Sequence, residues 1–124
     1  MARPFRKLMI KIHPAAKQQY ETMRGSGLFL PIGNKLQYLR IDPLRGVPVP
    51  RSQIPQQYKE LGVNNLFKIT IDDALHAVYT VGSNEKEIIA LIIDFLGDKE
   101  FSGIFANVDF GEEKEAVGTT DVKG

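Results

Sequence analysis

Two side chains in the middle of the sequence could take part in proton transfer and anion binding. Lys68 and His76 lie in the alternating runs 66–71 and 75–81, which predict two strands. If the apolar residues of both runs share one face, these two polar residues share the other. A neutral imidazole can accept a proton, and an ammonium group can stabilise a charged oxygen. On these residues alone, a solvated sheet face is the simpler interpretation, and a catalytic or anion-binding site is the alternative.

Other residue types with catalytic potential give weaker patterns. His13 directly precedes Pro14, which indicates the start of a helix rather than a ligand. The adjacent acids at 72–73 and 112–113 would point apart in an extended chain. The chain has no Cys and two His, and it contains no P-loop, dinucleotide-binding glycine pattern or nucleophile-elbow motif. We therefore expect no metal and no cofactor.

The elements that must position Lys68 and His76 can be read from the periodicity of the chain. Strands are predicted at 6–12, 66–71, 75–81 and 87–94, and helices at 14–24 and 31–40. The run 87–94 is apolar on both faces, which is typical of a central strand covered on both sides. This order predicts an α+β fold, with the two N-terminal helices packed on one face of a mostly antiparallel four-stranded sheet.

Residues 43–55 interrupt this pattern. They hold four of the seven prolines, together with Arg45 and Arg51. Such a segment cannot be a helix or a central strand, so we expect a stiff extended loop that carries two guanidinium groups. A short helix is predicted near 55–61 and another near 98–105. We expect the domain to span residues 1–106, followed by an acidic, mobile tail over 107–124.

Length and charge limit the class of protein. A chain of 124 residues with 43% hydrophobic residues suits one globular domain, and a net charge of +1 does not by itself indicate a nucleic-acid binder. The longest apolar run, 88–93, is too short to span a bilayer, and the N-terminus lacks the pattern of a signal peptide. These features predict a soluble, cytoplasmic protein with no membrane partner.

Several short strings, in this order along the chain, resemble the RelE/ParE toxin superfamily. The likeness spans residues 6–105, and the matching strings are Pro43-Leu44-Arg45-Gly46, Ile54-Pro55, Tyr58, Asn64-Asn65-Leu66-Phe67-Lys68-Ile69, Val78-Tyr79-Thr80, Asp98-Lys99-Glu100-Phe101 and Ile104-Phe105. The resemblance implies two N-terminal helices on a curved antiparallel sheet and a cognate antitoxin as partner. It also implies one of two targets, since RelE-like toxins cut ribosome-bound mRNA without a metal and ParE-like toxins inhibit DNA gyrase.

The endoribonuclease reaction needs a base for the 2′-hydroxyl, an acid for the leaving oxygen and cations for the charged transition state. Carried over to this sequence, the resemblance implies His76, Lys68 and Lys99 as catalytic residues. It implies contacts with RNA phosphates for a second set: Arg45, Arg51 and Lys59.

Two positions depart from the pattern of the nuclease members. Where those members have an aromatic residue followed by arginine in the third strand, this chain has Leu75 and His76. Near the C-terminus, Phe101 stands in the stretch that often carries a catalytic tyrosine. The missing arginine and phenol predict weak or absent cleavage. They leave open a non-catalytic binding protein of the same fold, or a ParE-like protein inhibitor.

Overall fold

The computed structural model describes residues 7–23, 27, 29–72 and 74–110. The strands are β1 (Lys7–Ile12), β2 (Val47–Pro48), β3 (Phe67–Asp72), β4 (Leu75–Ser83) and β5 (Glu87–Gly97). The helices are α1 (Pro14–Thr22), α2 (Phe29–Ile41), α3 (Gln56–Lys59) and α4 (Asp98–Ile104), and Arg51–Gln53 form a 3₁₀ turn. Within these ranges, none of the helices has the length and apolar character needed to cross a membrane.

One five-stranded sheet, in the order β1-β5-β4-β3-β2, forms the centre of this α+β fold. The prediction of four strands is wrong, because two residues of the proline-rich segment add β2 as a fifth. Val47 pairs with Lys68 and Pro48 with Phe67. A proline is tolerated there because β2 is an edge strand, where one side of the backbone needs no partner. Strand β1 runs parallel to β5, and the other three pairings are antiparallel.

Helices α1 and α2 cover the first face of the sheet. His13 caps α1 by accepting a hydrogen bond from the backbone N–H of Ala15 through its side chain, as expected for the start of a helix. Gln19 donates to the carbonyl of Phe95 and accepts from its N–H, so this side chain replaces a strand partner. Together with the sheet, the two helices enclose a core of buried residues: Ala16, Ile32, Leu39, Ile69, Ile71, Leu75, Ala77, Tyr79, Ala90, Ile92 and Phe95.

The second face is covered as well, by two short helices whose position the sequence did not predict. Helices α3 and α4 lie there, over a second core: Val49, Ile54, Tyr58, Leu66, Val78, Ile93, Leu96 and Phe105. Strand β5 lies between β1 and β4 and contributes Ile92 to the first core and Ile93 to the second. The predicted central position of this strand is therefore confirmed.

The first residues of the predicted tail pack against the second core. Val108 and Phe110 contact it, and the backbone N–H of Asp109 donates to Gln53 Oε1 at 2.7 Å. This contact joins the segment after α4 to the 3₁₀ turn. The remainder of the predicted mobile tail, 111–124, lies outside the described residues.

Candidate functional site

The pairing of β3 with β4 places the two central polar residues on one face. Thr70 lies opposite His76, and Ile69 lies opposite Ala77. A bulge between Thr70 and Asp72 takes up the extra residue before the turn. Most apolar residues of the two strands enter the first core, whereas Lys68 and His76 project from the second face, where Val78 also lies. The predicted register is confirmed.

Four side chains form a line of polar contacts across this face. Lys68 Nζ donates to Thr70 Oγ1 at 3.1 Å, and Thr70 Oγ1 lies 3.5 Å from His76 Nδ1. On the other side of the ring, His76 Nε2 lies 3.2 Å from Asp98 Oδ1. The carboxylate can only accept, so Nε2 is the protonated nitrogen of the neutral ring and Nδ1 can accept from the threonine hydroxyl. Both ring nitrogens are therefore engaged.

Helix α4 covers the imidazole of His76. The residue is 8% exposed, and its ring stacks on Phe101 with centroids 4.3 Å apart. Lys68 Nζ lies 5.5 Å from the centroid of Phe101 and 5.8 Å from that of Phe110, within the range of cation–π attraction. The interpretation as a solvated sheet face is therefore wrong at His76. Asp98, by contrast, keeps 68% of its side chain exposed.

A cluster of aromatic rings holds this cover in place. Phe101 stacks on Phe105 at 4.8 Å and on Phe110 at 5.7 Å, and Phe105 stacks on Tyr58 at 5.9 Å. The buried Tyr58 hydroxyl donates to Asp94 Oδ2 at 2.9 Å and so links α3 to β5. Burial, reinforced by the charge and hydrogen bond of Asp94, raises the pKa of Tyr58 well above its usual range. The Tyr58 hydroxyl is therefore harder to ionise than that of an exposed tyrosine, and it remains a donor at neutral pH.

The predicted cations occupy two regions of the fold. Exposed Lys59 and Lys99 lie on α3 and α4, and exposed Arg51 lies in the 3₁₀ turn, where its Nε donates to the carbonyl of Asn64 at 3.2 Å. These three belong to the elements on the second face. Arg45 lies elsewhere, with its guanidinium 4.8 Å from the centroid of Tyr38 on α2. The structure thus brings Lys68 and His76 together and places Arg45 against the helical layer of the first face.

Sequence reasoning missed Asp98 as the partner of His76, and it missed the pair Tyr58–Asp94. The available signal was the apolar character of both faces of β5, which requires a cover on the second face. Among residues 7–23, 27, 29–72 and 74–110, no three side chains of metal-ligating type are grouped so that they could hold an ion. Because both ring nitrogens of His76 are engaged and Phe101 covers the ring, the chemistry that this arrangement offers to a ligand from solvent is anion binding by the exposed cations of the second face.

The fold is similar to that of a toxin of known structure. The solved structure of the YoeB/ParE toxin from Agrobacterium tumefaciens is similar to this chain, with a TM-score of 0.54 and 14% sequence identity. The match covers 72% of this chain and 97% of that toxin. No family model matches the sequence, and no curated protein matches it. At this identity, the likeness shows a toxin-like fold.

Proposed function

We propose that this protein is the toxin-like partner of an antitoxin, that its target is ribosome-bound mRNA, and that it cleaves that mRNA weakly. The toxin-like fold supports the pairing with an antitoxin. The observation that carries the proposal is the state of His76, which is 8% exposed and has Thr70 and Asp98 at its two ring nitrogens.

A general base must come within about 3 Å of the 2′-hydroxyl from which it takes a proton. In His76, Nδ1 faces a hydroxyl inside the fold, and Phe101 covers the ring. An RNA strand could reach His76 only if α4 moved, which would break the stacking among Phe101, Phe105 and Phe110. The remaining catalytic candidates, Lys68 and Lys99, carry positive charge and suit a phosphate better than proton transfer at neutral pH.

RNA binding does not depend on the access to His76. Arg51, Lys59 and Lys99 are exposed on the elements of the second face, where they would contact phosphates while Lys68 adds charge from below. These contacts would position a strand without reading its sequence. We therefore expect binding to ribosomes or mRNA to persist where cleavage is lost.

The test is cleavage of ribosome-bound mRNA in vitro, mapped by primer extension. We expect wild type to cut at least about 100-fold more slowly than a nuclease toxin that retains the strand arginine and the C-terminal tyrosine. Any residual cutting that occurs when α4 moves aside and exposes His76 should fall further in His76→Ala. Asp98→Asn complements His76→Ala, because it removes the negative charge beside His76 Nε2 and keeps the imidazole ring. Rapid cutting by wild type that His76→Ala leaves unchanged would contradict the proposal.

A non-catalytic binding protein of the same fold is the second candidate, and the ring of Phe101 over His76 favours it. Induction of the protein in cells distinguishes the two candidates. Growth arrest with mapped mRNA cuts supports the nuclease, whereas ribosome binding without cuts supports the binding protein. Inhibition of DNA gyrase supercoiling without either result would instead favour a ParE-like inhibitor.

A further inference from the structure

The chain that follows helix α4 folds back over the face from which Lys68 projects. We call residues 107–110 the strap. Its last ring, Phe110, stacks on Phe101 with centroids 5.7 Å apart and lies at the same distance from the ring of Phe105. Lys68 Nζ lies 5.8 Å from the centroid of Phe110 and 5.5 Å from that of Phe101. The strap therefore places an aromatic ring beside the ammonium group of Lys68.

The strap belongs to no helix or strand, and side chains and single hydrogen bonds hold it. The Val108 N–H donates to the carbonyl of Phe105 at 3.1 Å, and the Asp109 N–H donates to Gln53 Oε1 at 2.7 Å. Asp109 is exposed, whereas Val108 and Phe110 are half-buried. Because a segment with half-buried side chains opens at a lower free energy than a core does, local opening of the strap is accessible to the folded protein.

Helix α4 is held more firmly than the strap. Phe105, which follows its last residue, is 4% exposed, and Glu100 Oε1 in its first turn accepts from the preceding backbone N–H at 3.0 Å. Between them, Phe101 stacks on His76 at 4.3 Å and on Phe110 at 5.7 Å. Release of the strap would therefore remove one of the rings that keep Phe101 over the imidazole, while α4 stays folded.

We propose that the strap is an autoinhibitory contact that limits the access of RNA to Lys68 and His76. While Phe110 lies against Phe101, its ring takes up one side of the Lys68 ammonium, and a phosphate must displace it. A charge-assisted hydrogen bond to a phosphate is stronger than the attraction of a ring face, so bound RNA favours the open strap. The inference deepens the proposed function, and its consequence for RNA rests on that function.

The first test measures chemical access and needs no RNA. Diethyl pyrocarbonate acylates lysine and neutral histidine side chains, and mass spectrometry of peptides gives the rate at each residue. Phe110→Ala should raise the rates at Lys68 and His76 at least about fivefold, because the half-buried ring helps to close the strap. His13 and Lys17 are internal references whose rates should not change, since they cap and form part of α1 on the first face.

A milder variant loosens the strap at its other contact. Gln53→Met removes the acceptor of the Asp109 N–H and keeps the length of the side chain. It should raise the rates at Lys68 and His76 by a smaller factor than Phe110→Ala does. The matched control is Gln57→Met, the same change at an exposed position of α3. Circular dichroism of each variant verifies the fold.

The second test measures the binding of a labelled single-stranded RNA oligonucleotide by anisotropy at several salt concentrations. In Phe110→Ala, one additional phosphate contact, made by Lys68, should increase the magnitude of the slope of log affinity against log salt by about 0.7. Adding Lys68→Gln to Phe110→Ala should remove that increase.

The outcomes separate the strap from the function on which it acts. Unchanged labelling of Lys68 and His76 in Phe110→Ala would overturn the proposal, and so would an equal rise at His13, which would mean a general loosening of the fold. Faster labelling of Lys68 and His76 with RNA binding of unchanged salt slope would also overturn it, because the strap would then not inhibit. Faster labelling in a protein that binds no RNA in any form would support the strap as a cover, and the proposed function would be what fails.

Discussion

A single hydrogen bond between Tyr58 and Asp94 helps to hold α3 against the second face of the sheet. A buried phenol donates to a half-buried carboxylate, and the bond joins a four-residue helix to the strand at the centre of the sheet. So short a helix has little stability of its own, because helix nucleation is costly. Its position must therefore come from side-chain contacts of this kind.

We predict that Tyr58→Phe lowers the free energy of unfolding by about 1–3 kcal/mol, since the ring is kept but the carboxylate loses its donor. Urea denaturation measures the change. Tyr38→Phe is the control, because the Tyr38 ring is 44% exposed and its hydroxyl can remain solvated in either state. We expect the control to shift the free energy by less than about 0.5 kcal/mol. Equal losses in the two variants would contradict the role of the Tyr58–Asp94 bond.

The same residue predicts an alkaline limit to stability. Burial and Asp94 raise the pKa of Tyr58 in the folded state, whereas the unfolded chain releases this proton near pH 10. Below that pH both states hold the proton and the contribution is fully present; above it the unfolded state gains free energy from ionisation and stability falls. Denaturation midpoints measured between pH 8 and 11 should decline less steeply in Tyr58→Phe than in wild type. Parallel profiles would count against the raised pKa.

At the scale of elements, β2 joins the sheet at a point where the chain must come very close. A Cβ built on Gly46 would lie 2.6 Å from the Tyr79 hydroxyl and 2.7 Å from the carbonyl oxygen of Lys68. The Tyr79 hydroxyl also receives the hydrogen bond of the Gly46 N–H at 2.8 Å. Because Tyr79 is buried and the Lys68 carbonyl is backbone, neither can move aside cheaply. Glycine is thus required just before the pairing of β2 with β3.

Gly46→Ala is therefore expected to destabilise the protein by about 1–3 kcal/mol, as overpacking of a close contact does. Gly33→Ala is the matched substitution, for which we expect a gain in stability rather than a loss. Gly33 lies within α2, and a Cβ there meets nothing within 4 Å. Alanine should stabilise that helix by about 0.5–1 kcal/mol. Thermal unfolding of both variants tests the pair, and a lower melting temperature for Gly33→Ala would contradict the helix argument.

Sequence reasoning predicted the elements that are long enough to show a regular alternation of apolar and polar residues. Alternation over 66–71 and 75–81 predicted the register that places Lys68 beside His76, because a slip of one residue would expose the first core. Strand β2 has two residues and includes Pro48, so no period could reveal it. The parallel pairing of β1 with β5 joins segments far apart in sequence, and a strand's own pattern does not name its neighbour. The burial of His76 was missed because it depends on Phe101, which lies far from His76 in sequence.

On the scale of the whole molecule, the sheet separates the layer of N-terminal helices from the face that carries the exposed cations. The first face carries α1 and α2, and Arg45 lies against Tyr38 of this helical layer. The second face carries α3 and α4, with the exposed cations proposed for RNA. The two layers lie on opposite sides of one sheet, so the effects of variants in the separate layers on stability should add.

The distribution of cations over these two sides leads to a prediction for RNA binding. Each phosphate contact to single-stranded RNA contributes about −0.7 to the slope of log affinity against log salt. Arg51, Lys59 and Lys99 lie on the elements of the second face, so changing all three to Gln should reduce the magnitude of that slope by about 2. The sharpest comparison uses Lys59→Gln and Lys17→Gln, which remove the same charge from exposed positions on α3 and α1. Anisotropy of a labelled oligonucleotide at several salt concentrations should show a smaller slope in the first variant and the wild-type slope in the second. Equal effects would mean that RNA is held by net charge rather than by the second face.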